Sequence, residues 1–301
     1  MTNDRQQNDR PRNDRQQGDR PQIAVDVCLD QSAWSTHLEE QTLLGLRDDP
    51  PWIPPVWFYD EVGSVLFDEI TRLEAYYPTA TERSILAAHA AEIASITGAE
   101  TLAELGSGTS DKTALLLDAL SAHGTLSTFA PFDCSEEILR TSAAAIAGAR
   151  PTVSVHAVVG DFHEHLDALP TDGICLLAFL GSTIGNLDAA QRKGFLADVA
   201  DCLDADDWFL LGTDLVKPVE RLVAAYDDPE GVTARFNINS LSVMNRELMA
   251  DFDPSAFHHR AAWNAEESCI EMHLVADRSQ TVHLQALGGL QVDLVDRKSV
   301  V

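Results

Sequence analysis

The chain has 301 residues, 45% of them apolar, and a formal net charge of −27. That length allows one large core, or a core with a subdomain. The negative surface repels phosphate backbones and anionic membranes, so a small-molecule substrate is expected rather than a nucleic acid or membrane partner.

No apolar run approaches the ~20 residues of a membrane-spanning helix. The N-terminus lacks the apolar core of a secretory signal, so a cytoplasmic monomer is expected. Cys28, Cys134, Cys175, Cys202 and Cys269 are odd in number and show no C-x-x-C spacing. Neither a disulfide framework nor a bound metal is expected.

Residues 1–22 repeat Asn-Asp-Arg-Gln-Gln and Asp-Arg, with almost no apolar residue. Such a segment cannot offset its ordering entropy, and 1–24 reads as a disordered tail. A helix is expected over 33–47. Pro51, Pro54 and Pro55 then impose an extended approach to Trp57-Phe58-Tyr59-Asp60. That aromatic group is either a helix packed on the sheet or a lid over a ligand. After Tyr76-Tyr77-Pro78, Thr79 and Glu82 have capping-box spacing. They predict a helix over 80–97, stopped by Gly98.

Strands expected at 101–105, 127–132, 154–159, 174–180 and 207–213 then alternate with helices at 111–122, 135–147, 163–168 and 188–203. This alternation predicts an α/β fold with a parallel, doubly wound, Rossmann-like sheet. After Asp214 the pattern changes. Helices at 219–226 and 231–249, and antiparallel strands at 257–263, 269–277 and 281–287, predict a smaller α+β subdomain. The expected division gives 25–80 and 101–216 to the sheet domain, and 81–100 and 217–301 to a substrate-binding subdomain.

The first strand of the alternating part runs into Gly106-Ser107-Gly108, a tight turn that exposes bare backbone to a ligand. Glu104 inside that strand suits a cation, and the G-x-x-x-x-G-K-[ST] spacing of a phosphate loop is missing. A third glycine for a dinucleotide is missing too, since Asp111 occupies its position. S-adenosylmethionine, with its sulfonium and ammonium, is therefore the expected cofactor.

In an open α/β sheet, ligands bind beyond the carboxyl ends of the strands. Asp133 ends the second strand of the series and suits ribose hydroxyls. Asp161-Phe162 follows the third and suits an adenine amino group and its ring face. Gly181-Ser182-Thr183-Ile184-Gly185-Asn186 follows the fourth, as a small turn against the reacting centre. Lys112 suits the cofactor carboxylate. The ten histidines have no acidic or cysteine companions at ligand spacing.

Longer motifs accompany these residues: Pro54-Pro-Val-Trp-Phe-Tyr-Asp-Glu-Val-Gly-Ser, Tyr76-Tyr-Pro-Thr, Glu104-Leu-Gly-Ser-Gly-Thr-Ser-Asp-Lys-Thr, Phe179-Leu-Gly-Ser-Thr-Ile-Gly-Asn-Leu, Gly212-Thr-Asp-Leu-Val-Lys and Ala225-Tyr-Asp-Asp. Together they resemble the L-histidine Nα-methyltransferases of ergothioneine biosynthesis, over most of the chain. That family trimethylates the α-amino group of histidine to the betaine hercynine.

The resemblance implies that Gly106, Lys112, Asp133, Asp161 and Phe162 bind S-adenosylmethionine. It implies that Tyr76, Asn186 and Tyr226 bind the main-chain groups of histidine. It further implies that Met272 lines the imidazole pocket, that Gly181 lets the amine approach the methyl group, and that Tyr59 takes the catalytic position near the amine and the methyl donor. The family's imidazole-selecting Glu-x-Ser, and a stretch that completes the sheet, are expected after the last antiparallel strands. The chain ends instead at Asp296-Arg-Lys-Ser-Val-Val301. It is therefore read as C-terminally truncated, with impaired activity expected. The competing readings are a methyltransferase for another amino acid or small amine, and a catalytically dead cofactor-binding relic.

Overall fold

The computed structural model describes residues 23–108, 110, 112–170, 172–294 and 299–300. The repeat tail expected over 1–24 lies outside them up to residue 22, and Ile23 and Ala24 are the first residues of a strand, β1 (Ile23–Val27). Helix α1 (Gln31–Arg47) follows, started by Asp30, whose carboxylate accepts from Ser32 and Ala33 N–H. Then come α2 (Glu61–Ile70) and α3 (Tyr77–Thr97).

Next, β2 (Thr101–Leu105), α4 (Ala114–His123), β3 (Thr128–Asp133), α5 (Glu136–Ala149) and β4 (Ser154–Val159) alternate. The series continues with β5 (Cys175–Phe179), α6 (Ala189–Cys202) and β6 (Trp208–Leu211). The six strands form one sheet in the order β1-β4-β3-β2-β5-β6, every neighbour parallel. This is the expected doubly wound α/β fold. β1 is the addition: Ile23-Ala-Val-Asp-Val is short, and as an edge strand it is largely exposed.

Two apolar layers explain why the sheet forms. Leu102, Phe129 and Leu176 point to one face, against Leu86, Ala90 and Ala94 of α3, Leu116 and Leu120 of α4, and Leu139 of α5. Their neighbours Ala103, Ala130 and Leu177 point to the other, with Phe195 and Val199 of α6. That alternation is the period of a strand buried on both faces.

The rest of the chain builds a second core. It comprises α7 (Val219–Tyr226), α8 (Val232–Glu247), the antiparallel pair β7 (Phe257–Asn264) and β8 (Cys269–Ala276), and the hairpin β9 (Gln280–Leu284) with β10 (Leu290–Leu294). The short β11 (Ser299–Val300) pairs with β8. This core also takes in Trp57, Phe58, Ile70, Tyr76 and Tyr77, which lie between β1 and β2 in sequence.

Two expectations are corrected. The helix expected at 163–168 is a single 3-10 turn, Leu166–Ala168. The Thr79–Glu82 capping box does not form. Helix α3 begins earlier, at Tyr77, without a side-chain cap. Pro78 in its first turn supplies a φ already suited to a helix. The helix does end at Gly98, whose φ of 54° only a residue tolerant of the left-handed region takes without strain.

Candidate active site

The register puts the strand ends level. Leu105 pairs with Phe132 on one side and with Phe179 on the other, and Asp133 pairs with Val159. The loops after β2, β3, β4 and β5 therefore open on the same sheet edge, beside the β2/β5 point where the strand order reverses. That is the ligand edge of an open α/β sheet.

Gly106 turns the chain after β2 with φ 65°, and a Cβ there would meet nothing within 4 Å. The turn is pinned to β3 by Ser107 N–H donating to Phe132 O at 3.1 Å. Asp133 holds it from the side: its Oδ2 accepts from Gly108 N–H at 2.9 Å and its Oδ1 from Ser135 N–H at 3.0 Å. Each carboxylate oxygen keeps lone-pair capacity for a further donor. Asp161 is buried, and its Oδ1 accepts from His163 N–H at 2.9 Å. Phe162 sits edge-on to Phe179 and Phe195, at 5.6 and 5.5 Å.

Glu104 is 4% exposed. Burial pushes its carboxyl up to about 8, against the opposing hydrogen bond from Thr113. Its Oε1 accepts from the Thr113 hydroxyl, while its Oε2 is buried without a protein partner. An orphaned carboxylate oxygen at a Gly turn suits a cation, which would offset the cost of ionising it. Together with the open backbone at Gly106 and two carboxylates at successive strand ends, it makes the residues present fit S-adenosylmethionine.

The other half of the site is aromatic. Tyr59 ends the 3-10 turn Pro55–Phe58, while Trp57 and Phe58 are buried in the second core. The aromatic group thus divides, two residues buried and Tyr59 exposed. Trp57 Nε1 donates to Thr42 Oγ1 at 2.8 Å, which fixes the turn to α1. Tyr59 is 47% exposed, yet desolvation, followed by Asp133, Tyr226 and Cys134, pushes its phenol up to about 12. Its ring packs edge-on to Phe67 and Phe236, at 5.5 and 5.6 Å.

Tyr76 is buried just before α3, its ring 5.7 Å from that of Tyr226 and edge-on to it. Burial raises its phenol well above the ordinary range, and Tyr226 and Tyr59 raise it further. Burial raises the Tyr226 phenol as well. Both phenols are thus neutral donors across physiological pH. Met272 is half-buried on β8 and packs against the same core. Asn186 ends the 3-10 turn Thr183–Asn186 after β5, exposed at the sheet edge.

Lys112, in the turn before α4, pairs with Glu82 of α3. Its Nζ would lie 3.5 Å from a Cβ at Gly181. The structure therefore links Lys112 to Gly181 through Glu82, and Tyr59 to Tyr76 and Tyr226 through the ring of Phe67.

Other residues around the site were not singled out for it. Cys134 is exposed next to Asp133, its thiol pushed up to about 12 by desolvation and by Asp133. His259 Nε2 lies 2.7 Å from the Tyr226 carbonyl oxygen, so it donates there. Its Nδ1 then accepts from Asn237 Nδ2 at 2.9 Å. This buried pair fixes the backbone of Tyr226 and has no motif. Asp228, in the Ala225-Tyr-Asp-Asp stretch, starts α8 by accepting from Val232 and Thr233 N–H at 2.9 and 2.7 Å. Among the described residues no cluster of His, Cys, Asp or Glu is arranged to hold a metal ion. No described helix is long and apolar enough to cross a membrane.

Level strand ends, an open Gly turn, an orphaned carboxylate oxygen and carboxylates after successive strands fit a methyltransferase that uses S-adenosylmethionine. The comparisons with known proteins narrow the class. The profile of the family described as histidine-specific, SAM-dependent methyltransferases matches residues 38–300, and the chain belongs to that family.

It is 52% identical over 265 residues to a histidine N-alpha-methyltransferase of Mycobacterium tuberculosis, covering 88% of this chain and 83% of the relative. It is 54% identical over 256 residues to the protein of that name from Mycolicibacterium smegmatis, covering 85% and 79%. It is 36% identical over 205 residues to ergothioneine biosynthesis protein 1 of Neurospora crassa, covering 66% of this chain and 23% of that longer protein.

Proposed function

We propose that this chain transfers methyl groups from S-adenosylmethionine to the α-amino group of L-histidine, giving trimethylhistidine (hercynine) for ergothioneine biosynthesis, as a monomer in the cytoplasm. The observation that carries the reading is the 52% identity, over 88% of the chain, to a histidine N-alpha-methyltransferase. The site's chemistry supports it.

Bound S-adenosylmethionine supplies an electrophilic methyl group on a sulfonium. The chain's part is to hold donor and acceptor in line. Gly106 and Asp133 take the nucleoside, Asp133 through the ribose hydroxyls. Asp161 and Phe162 take the adenine, by hydrogen bond and ring face, and Lys112 takes the carboxylate.

On the acceptor side, Tyr76, Asn186 and Tyr226 orient the amino and carboxylate groups of histidine. Met272 lines the imidazole pocket, and the small turn at Gly181 leaves room for the amine. Tyr59 stands between the two halves. Its raised phenol keeps its proton, so it orients the amine rather than deprotonating it. The amine must arrive neutral. Its lone pair forms the new N–C bond as the C–S bond breaks toward sulfur; in the first two transfers the surplus N–H proton then leaves to solvent, and the third ends in a quaternary ammonium that has no proton to lose. Neutral hydroxyl and amide ligands fit this work, because they position the amine without trapping it as an ammonium. Proximity and orientation supply most of the acceleration.

The test is mass spectrometry of products from a mixed amino-acid pool with S-adenosylmethionine. Methylated histidine alone is the expected result. Methylation of another amino acid in its place would replace the substrate.

A further inference from the structure

Glu82 joins the two halves of the site in the fold, although its sequence spacing suggested only a helix cap. One oxygen, Oε1, accepts from Gly181 N–H at 2.8 Å, in the turn after β5. The other, Oε2, pairs with the Lys112 ammonium, in the turn after β2. The end of β6 closes over the same carboxylate. A Cβ at Gly212 would stand 2.1 Å from Glu82 Oε1 and 3.2 Å from the Leu180 backbone, so only glycine admits the approach. Its charge also adds to the forces that hold the proton on Tyr76. Both members of the ion pair are mostly buried, with side chains 23% and 16% exposed for Lys112 and Glu82. A single carboxylate of α3 thus touches the cofactor-side lysine, the acceptor-side turn and the field of an acceptor-side tyrosine.

We propose that Glu82 is a positioning residue for methyl transfer, tying Lys112 to the Gly181 turn so that donor and acceptor keep a fixed relation. The proposal rests on the reading that Lys112 meets the cofactor carboxylate. Lys112 compensates Glu82 as much as Glu82 orients Lys112. Removing the lysine alone leaves a mostly buried carboxylate facing the incoming one, and an uncompensated charge in such a place costs more than the lost pair. Removing the Gly181 contact lets the turn drift, and a shift of ~1 Å at a reacting centre is enough to cost on the order of 100-fold in rate.

The experiment uses S-adenosylhomocysteine as the calorimetric probe on the wild-type chain, Lys112→Met, Glu82→Gln and the double variant. Lys112→Met should weaken binding by at least ~30-fold, and adding Glu82→Gln should recover at least ~10-fold of that loss, the non-additivity of coupled residues. Methyl transfer to histidine supplies the second readout. Glu82→Ala, which loses both contacts, should lower kcat ~100-fold. It should leave S-adenosylhomocysteine affinity within ~5-fold and melting within ~3 °C of wild type, since the long Lys112 side chain, already 23% exposed, can turn its ammonium to solvent as a short-tethered carboxylate cannot. Glu82→Gln, which keeps an oxygen for Gly181 N–H, should fall between.

Failure of the double variant to recover binding overturns the proposal. So does a Glu82→Ala chain with wild-type kcat, or one that loses kcat, affinity and stability together. A wild-type chain that binds S-adenosylhomocysteine but leaves histidine unmethylated refutes the acceptor reading, and the binding cycle still decides Glu82. A wild-type chain that does not bind the probe overturns both.

Discussion

On the proposed cofactor side, Gly106, Asp133 and Asp161 follow the ends of strands of one sheet, and the register sets their spacing. On the proposed acceptor side, Tyr59, Tyr76 and Tyr226 come from a 3-10 turn, the start of α3 and the end of α7, and meet through a second core that includes Phe236. The first half depends on backbone hydrogen bonding, the second on side-chain packing and a few buried polar contacts. The two should therefore fail separately. A change at a strand end should remove cofactor binding and leave the aromatic cluster intact. A change among the tyrosines should do the reverse.

The largest effect is expected at Asp133. Its carboxylate supports the Gly108 and Ser135 amides and is the proposed ribose ligand. Asp133→Ala should weaken S-adenosylhomocysteine binding by at least ~100-fold in calorimetry, as loss of several charge-assisted hydrogen bonds implies. Near-UV circular dichroism of the tyrosines should be unchanged. Loss of that signal as well would show one cooperative site instead of two.

Tyr226→Phe comes next. It should raise KM for histidine ~10-fold, the cost of one hydrogen bond in a buried site. S-adenosylhomocysteine affinity should stay within ~2-fold. An equal loss on both sides would merge the halves.

Glu104 gives a pH test of the cofactor half. Burial raises its carboxyl from 4.5 to about 8. Between those values the folded chain keeps a proton that the unfolded chain has lost. The stability linked to this group is therefore fully present below about pH 4.5, falls as pH rises, and is lost once pH passes about 8. Glu104→Gln should remove that slope and raise the melting temperature at pH 8 by at least ~2 °C. An unchanged slope would mean that Glu104 is already charge-compensated in the fold.

The smallest effect belongs outside both halves. Leu215 is 73% exposed just beyond β6. Leu215→Ser should change stability by less than ~0.5 kcal/mol in denaturant melts. A larger loss would reveal packing on that side of the sheet.

What the sequence made legible follows the same division. Strand ends are local: an apolar run, a Gly or Asp, then a helix, and five strands and their order of use were readable from that pattern. β1 was not, because Ile23-Ala-Val-Asp-Val abuts the repeat tail and, as an exposed edge strand, has no run of core residues to mark it. Helix spacing alone misled at Thr79 and Glu82. Pro78 can start a helix without a cap, which frees Glu82 for Lys112 and Gly181. The acceptor tyrosines came from resemblance, since nothing local relates Tyr59 to Tyr226. The pair Asn237–His259 had no signal, because its work is a hydrogen bond to a main-chain carbonyl on another element.

The central claim is that the joined halves deliver a methyl group to one particular nitrogen. Incubating the purified chain with histidine and methyl-labelled S-adenosylmethionine, then locating the label by NMR, tests it most directly. The account predicts label on the α-nitrogen, building up to the trimethylated betaine. Label on an imidazole nitrogen, or no label on histidine at all, would contradict it.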